Sequence, residues 1–379
     1  MTQLRSSSFV GQAADDRAQA VMKFGFTERQ ARFLVTVMLH SGVCLPRQYE
    51  RFVGIVHGKP TGRFFRKLIK HGYAAAYPCR HNRGRVYHVH HKPLYRAIGE
   101  INSRHRRPMS AARVEEALML LDAMLIDPKV VWLATVDERL IQLSHVAGFG
   151  PEDAARLAGT RASGGGRSVR DRMPIGIDES GRWVFPYLLT DLQREDFHWF
   201  LQQHFGLFAV LPAWVVRIVC LPHGKGMAEQ YRETAREALK PVSPRAASGL
   251  RWYFPLHRKH TQEGAPLGDE EQDYYEARYA FGAPRLKVLY QRWLSEGDTA
   301  FEAVSSSAVA EALKRGTGKI ECHVLPFAYR HLSPLVGLPQ PKSKGAQEVD
   351  DRPSPSRPLL DSSVAATNNI ANSAKHASA

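Results

Sequence analysis

From Phe26 to His71 the apolar residues recur at helical spacing, and from Tyr73 to His90 they fall into two short runs. Ala31, Leu34, Val35 and Met38 stand at i, i+3, i+4 and i+7, one face of a helix. Thr27-Glu28-Arg29-Gln30 ahead of them reads as a capping box, and Gly42 stops the run. A second short helix is expected near Pro46–Ile55, with Tyr49, Phe52 and Val53 inward. After the turn Gly58-Lys59-Pro60-Thr61, a third helix spans Thr61–His71 and ends at Gly72. The runs Tyr73–Tyr77 and Val86–His90, joined by a polar loop over Arg80–Arg85, predict a hairpin. Three helices followed by two strands predict a winged helix over residues 26–110. Residues 1–25 are polar and short of aromatics, which predicts a flexible arm or a frayed helix.

Beyond Ala111 the pattern changes. Val114–Ile126 reads as a helix and Lys129–Thr135 as a strand. Gly148–Arg172 reads as a loop rich in Gly, Ser and Arg. Strands are expected at Met173–Asp178 and Arg182–Leu189, a helix at Gln193–His204, a buried strand at Trp214–Leu221 and a helix at Met227–Leu239. Further on, a strand is expected near Trp252–Phe254, helices near Arg285–Leu294 and Phe301–Lys314, and a strand near Lys319–Leu325. The fold class is therefore α+β: a winged helix, a mixed α/β domain over 111–335, and a tail over 336–379 whose Pro, Ser, Asn and Ala content predicts disorder. No run approaches the ~18 apolar residues that span a bilayer. Residues 1–20 lack the apolar segment of a secretory signal. Four widely spaced cysteines fit a reducing, cytoplasmic setting rather than a disulfide framework.

Charge sharpens this picture. Of 52 Lys and Arg residues, 20 lie in the first 110 positions beside only 5 of the 37 Asp and Glu; the remaining 32 of each sign cancel. The whole excess of +15 sits in the first third of the chain, which points to a polyanionic partner. The third helix places Arg63, Arg66, Lys67 and Lys70 on one stripe, with Lys59 and Thr61 at its start and Phe65, Leu68 and Ile69 opposite. Arg80, Arg83 and Arg85 decorate the hairpin. A helix cationic on one side and apolar on the other, followed by a basic wing, is what reading double-stranded DNA through the major groove requires. The competing reading is a solvated cationic face or a basic segment docking on an acidic protein.

Catalytic chemistry is sparse. Cys79, His81, His88, His90 and His91 cluster on the hairpin, but no Cys-x-x-Cys accompanies them, and they read as contacts to phosphate or solvent rather than to a metal. Met173–Leu221 reads strand, turn, strand, helix, strand, an order compatible with a restriction-endonuclease-like core. In such a core paired carboxylates hold a divalent ion. Asp178 and Asp191 are the acids available for a metal-dependent nuclease or nickase, and no Glu-x-Lys follows on the second strand. Asp191 equally suits an N-cap. No metal or cofactor is expected. Gly164-Gly165-Gly166 lacks the Lys-Ser/Thr ending of a phosphate loop.

A winged helix followed by Gly181-Arg182, Asp191 at a strand end, Phe197 and Phe200 on a helix, and Leu211-Pro212-x-Trp214 before a buried strand resembles the replication-relaxation family of bacterial mobile elements. The resemblance spans roughly residues 26–240. It implies a non-enzymatic DNA-binding accessory or regulatory factor of a plasmid or integrative element, with a replication or transfer protein as a further partner. Where that family carries Glu before the position of Asp191, this chain has Leu189 and Thr190.

Overall fold

The computed structural model describes residues 2–56, 58–79, 84–147, 174–190, 194–327 and Tyr329, with fourteen helices and two sheets among them. The chain is mixed α/β. Its first third is organised by α2 (Glu28–His40), whose N-terminus carries the capping box anticipated from Thr27 and Gln30. Gly42 follows α2 at φ +70 and lies so close to the His105 carbonyl that a Cβ there would stand 2.5 Å from its oxygen. That turn admits a two-residue strand, β1 (Val43–Cys44), which the pattern did not predict. α3 (Pro46–Val53), α4 (Lys59–Lys70), β2 (Ala74–Pro78) and β3 (Arg85–Val89) follow. The strands pair antiparallel in the order β1-β3-β2. Of the two alternatives for residues 1–25, flexible arm or frayed helix, the chain takes helix, α1 (Thr2–Met22), with Ala18 and Val21 buried against the α2 core. Ala, Gln and Arg in its second half are good helix formers, and that favours helix even where the aromatic content is low.

α5 (Lys92–Ala97) leads to α6 (Ala111–Ile126), which is apolar almost all round. After β4 (Val131–Leu133), α7 (Val136–Ala147), β5 (Ile175–Ile177) and β6 (Trp183–Leu188), the chain forms α8 (Arg194–Val210), β7 (Trp214–Cys220) and α9 (Lys225–Ala238). Five more helices complete the order: α10 (Pro244–Gln262), α11 (Glu271–Ala280), α12 (Pro284–Glu296), α13 (Thr299–Ser305) and α14 (Ala308–Arg315), before β8 (Gly318–Val324). The second sheet runs β4-β5-β6-β7-β8, antiparallel through β6 and parallel from β6 to β8. Pro186 is tolerated within β6 because β5 pairs only with Trp183 and Val184, so its missing N–H falls beyond that partner.

Trp183, Phe185, Trp214, Val216 and Ile218 turn one sheet face toward α8, α9 and α10. The opposite face, through Leu188 and Val219, packs on Val114, Leu118 and Met119 of α6. The same cluster includes Val43, Cys79 and Val86 from the first sheet, so α6 is the wall common to both halves. All described residues belong to one compact unit. The strand expected near Trp252–Phe254 lies inside α10: Ser243 caps that helix, and Ala247, Leu250 and Phe254 recur on its buried side. The helix expected over Phe301–Lys314 breaks into α13 and α14 at Ser306-Ser307. The loop expected over 148–172 and the tail over 336–379 lie outside the described residues.

Asp122 of α6 has no solvent exposure. Both its oxygens accept from Arg47 of α3 at 2.7 Å, and Oδ2 also accepts from the Tyr329 hydroxyl. Burial and the adjacent Asp122 carboxylate push the Tyr329 phenol above its ordinary range. Arg47→Ala leaves that carboxylate buried without its cation and lowers unfolding stability by about 3 kcal/mol, read by urea denaturation. A change under about 1 kcal/mol, the range of an exposed pair, would show the contact to be peripheral.

His40, at the end of α2, is almost fully buried. Burial, reinforced by the charges of His105, Arg139 and Arg17, pushes its imidazole down to about 3. Unfolded, it titrates near 6.5, so the folded form binds its proton less readily. The stability it lends is present above pH ~6.5 and drains away as the pH falls toward its folded value. Urea titrations at pH 7, 6, 5 and 4 should show a shallower loss in His40→Leu than in the parent; parallel curves would contradict this.

Candidate nucleic-acid interface

α4 is held from its inner side by aromatic packing. Phe64 stacks on Tyr49 of α3 at 4.3 Å between ring centroids and stands edge-on to Phe33 of α2 at 6.1 Å. Phe65 lies 4.2 Å from Tyr87 of β3. Leu68 completes the buried face. With these anchors fixed, the opposite side points outward, and Lys59, Arg63, Arg66 and Lys70 are all exposed there at i, i+4, i+7 and i+11. None of the four forms an ion pair among the described residues. Elsewhere in the same third, Arg17 is paired with Glu138, Arg32 with Asp15 and Glu28, and Arg47 with Asp122.

The helix borders an open groove of ≈ 730 Å³ shared with β3, where Arg85 and Tyr87 form the far side. Arg63, Arg66, Lys67, Lys70, His71 and Arg85 line it, and no acidic residue does. An open, cation-lined concavity with no internal counter-charge suits an anionic ridge such as a phosphate backbone.

Three expected positions differ. Thr61 is buried with 1% of its surface exposed, so its hydroxyl faces the interior. Lys67 is half-buried: its ammonium donates to the Gly25 carbonyl and sits 4.6 Å from the Phe26 ring centroid, holding the loop between α1 and α2. Ile69, expected inward, is 41% exposed and lines the groove. Both shifts have one cause. The aromatic side of α4 is centred on Phe64, Phe65 and Leu68, which turns position 67 toward the N-terminal loop and position 69 toward solvent. Arg80 and Arg83 lie outside the described residues. The groove contributors that pattern reasoning missed are Gly62, Ile69, His71 and Tyr87; the first two share a helical side with Arg66 and were legible on that ground.

The hairpin histidines are engaged in packing. His88 is buried, with Nε2 2.9 Å from the His105 carbonyl oxygen and its ring 5.9 Å from His90. His91 stands edge-on to Phe24 and Tyr73. Cys79 lies opposite Gly84, and Ala75 is what faces His88. His81 is outside the described residues. Among the described residues no three His, Cys, Asp or Glu side chains converge as metal ligands.

Asp178 closes the turn between β5 and β6. It accepts from the Ser180 amide and hydroxyl, the Arg182 amide and the Arg182 guanidinium, at 2.6–3.0 Å. Partial burial works against its charge, but these bonds prevail and hold the carboxyl below its ordinary value. That is a turn-forming role, and Asp191 lies outside the described residues. No family model, curated protein or solved structure matches the chain.

Lys67 and Arg66 therefore have separable roles. Lys67→Ala should lower unfolding stability by about 1 kcal/mol, the scale of a cation–aromatic contact, while Arg66→Ala leaves stability within about 0.5 kcal/mol. Equal stability losses in both would mean that Arg66 is a packing residue.

Proposed function

We propose that the chain is a non-enzymatic double-stranded DNA-binding protein. In it α2 to β3 act as a winged helix, with α4 in the major groove and the β2–β3 hairpin as the wing. The observation that carries this reading is the row of exposed, unpaired cations on α4, beside an acid-free groove and backed by a rigid aromatic face. The chain order α2, β1, α3, α4, β2, β3, with β1 beside β3, supports the same reading. Among the described residues no helix is long and apolar enough to cross a membrane.

The antiparallel strands β4, β5 and β6, with α7 between the first two, followed by α8 and the parallel strand β7, support a restriction-endonuclease-like core for the second half. In such a core, hydrolysis needs carboxylates free to bind a metal. Asp178 spends both oxygens on its own turn. The second half then serves as the rigid body from which the DNA-reading unit projects. The wider role proposed with it, an accessory or regulatory factor of a plasmid or integrative element, rests on the resemblance to replication-relaxation proteins.

Fluorescence anisotropy of a labelled duplex with the full chain tests this. Five exposed cations, Lys59, Arg63, Arg66, Lys70 and Arg85, contribute about −0.9 each to the slope of log affinity on log salt, so a slope of about −4.5 is expected. Arg63→Ala should cost about 1–3 kcal/mol if it reads a base, or reduce the slope by about 1 if it touches phosphate. A shallow slope, with affinity indifferent to removal of Arg63, Arg66 and Lys70 together, would overturn the proposal.

A further inference from the structure

Within the groove, Gly62, Arg66 and Ile69 stand at i, i+4 and i+7 and so share one line along α4. What sets the three apart is that they line one acid-free groove together. A glycine here costs helix stability relative to alanine. The fold does not require it: no positive φ is found at Gly62, and an added Cβ would meet only the tip of Arg66, its Nη1 3.8 Å away. Helical glycines of this chain differ in this respect: at Gly249 of α10 a Cβ would come within 2.9 Å of the Phe281 ring, whereas Gly11 of α1 and Gly226 of α9, like Gly62, have room for one, and of these four Gly62 lines the groove. Ile69 is a branched apolar side chain left 41% exposed between the cations of Arg66 and Lys70. A lone exposed isoleucine is unremarkable on a protein surface. On the same line as an unfilled glycine and an unpaired arginine, in an acid-free groove, it acquires a specific partner.

We propose that Gly62, Arg66 and Ile69 form the base-reading line of α4, with Ile69 packed on the C5-methyl of a thymine. The inference rests on the duplex-binding reading above. In the major groove thymine alone presents a methyl group, and guanine presents the two acceptors that match an arginine fork. Arg66, one turn before Ile69, fits a guanine near that thymine. The bare backbone at Gly62 lets the helix seat closely enough for a side chain as short as isoleucine to reach the base edge.

The test begins by selecting preferred sites from a randomised duplex library with the full chain. Each thymidine of the selected site is then replaced in turn by deoxyuridine, which removes only the methyl. One replacement should weaken the parent by ~4-fold, the effect of burying a single methyl, and leave Ile69→Ala binding unchanged. Gly62→Ala should raise the thermal midpoint of the free protein by roughly 2 °C while weakening binding to the selected site about tenfold. Duplex binding without sequence preference, indifference to every deoxyuridine, or full affinity in Gly62→Ala would each overturn the inference and leave the DNA-binding reading standing. Absence of any salt-dependent duplex binding would remove both.

Discussion

A carboxylate sealed from water sets the geometry of this molecule. Asp122 cannot stay charged in the interior without strong compensation, since an isolated buried ion is costlier than any single hydrophobic contact. Compensation comes from Arg47, on the helix before the groove helix, and from Tyr329, just after the last strand. The Arg47 guanidinium also lies 3.7 Å over the Phe327 ring, so the cation is enclosed from two sides. Gln48, the next residue, donates to the Leu118 carbonyl and accepts from the Leu45 amide. Three segments distant in sequence thus meet at directional bonds, which fix orientation where apolar packing alone fixes only proximity.

That junction explains why α6 looks unlike a surface helix. An amphipathic helix buries one stripe, whereas a helix apolar on all sides must be enclosed. α6 is enclosed because one side meets the second sheet and another meets the first, through residues such as Val219 and Val86 of a single cluster. A basic reading unit joined by a loose linker would sample many angles. Here the basic first third shares the α6 wall with the α/β half, and the two form one compact unit. Val86 stands beside Arg85, the cation across the groove from α4, so the far side of the groove is braced by that same cluster.

Much of this was legible in the sequence wherever a period was strong. The capping box, the helical spacing before Gly42 and the aromatic side of α4 are local signals, and tertiary packing reinforces them. Failures arose where tertiary context overrode local preference. Trp252, Tyr253 and Phe254 favour strand by composition, yet they sit within a capped helix whose buried side needs Leu250 and Phe254 together. Residues 11–22 carry no aromatics and still fold, because alanine makes a good helix and two small buried positions suffice to seat it. At the groove, one stripe of four cations was expected, and a few tens of degrees of rotation around α4 divided it. Lys67 then became a half-buried anchor on the N-terminal loop at the margin of the groove, and Ile69 a groove residue. A helical wheel gives angles between side chains; the neighbours that α4 packs on set the rotation of the whole wheel.

The same chain shows how it builds a charged helix that merely faces water. Along α9 and just past its C-terminus, Glu229 pairs with Arg232, Glu233 with Arg236 and Glu237 with Lys240, each three residues apart. Opposite charges at this spacing add a few tenths of a kcal/mol each, and like charges subtract as much. On α4, Lys59 and Arg63 stand four apart, as do Arg66 and Lys70, with no acid between them. Lys59 also opens the helix, where the macrodipole disfavours a cation. A solvated face gains nothing from this arrangement, and α9 demonstrates that the alternative was within reach of this sequence. Local rules broken at one place, with no compensating contact inside the protein, mark a surface whose partner is elsewhere. The duplex proposed as the partner would turn these mutual repulsions into attraction, because its phosphates supply one negative charge for every ~1.7 Å of helix axis.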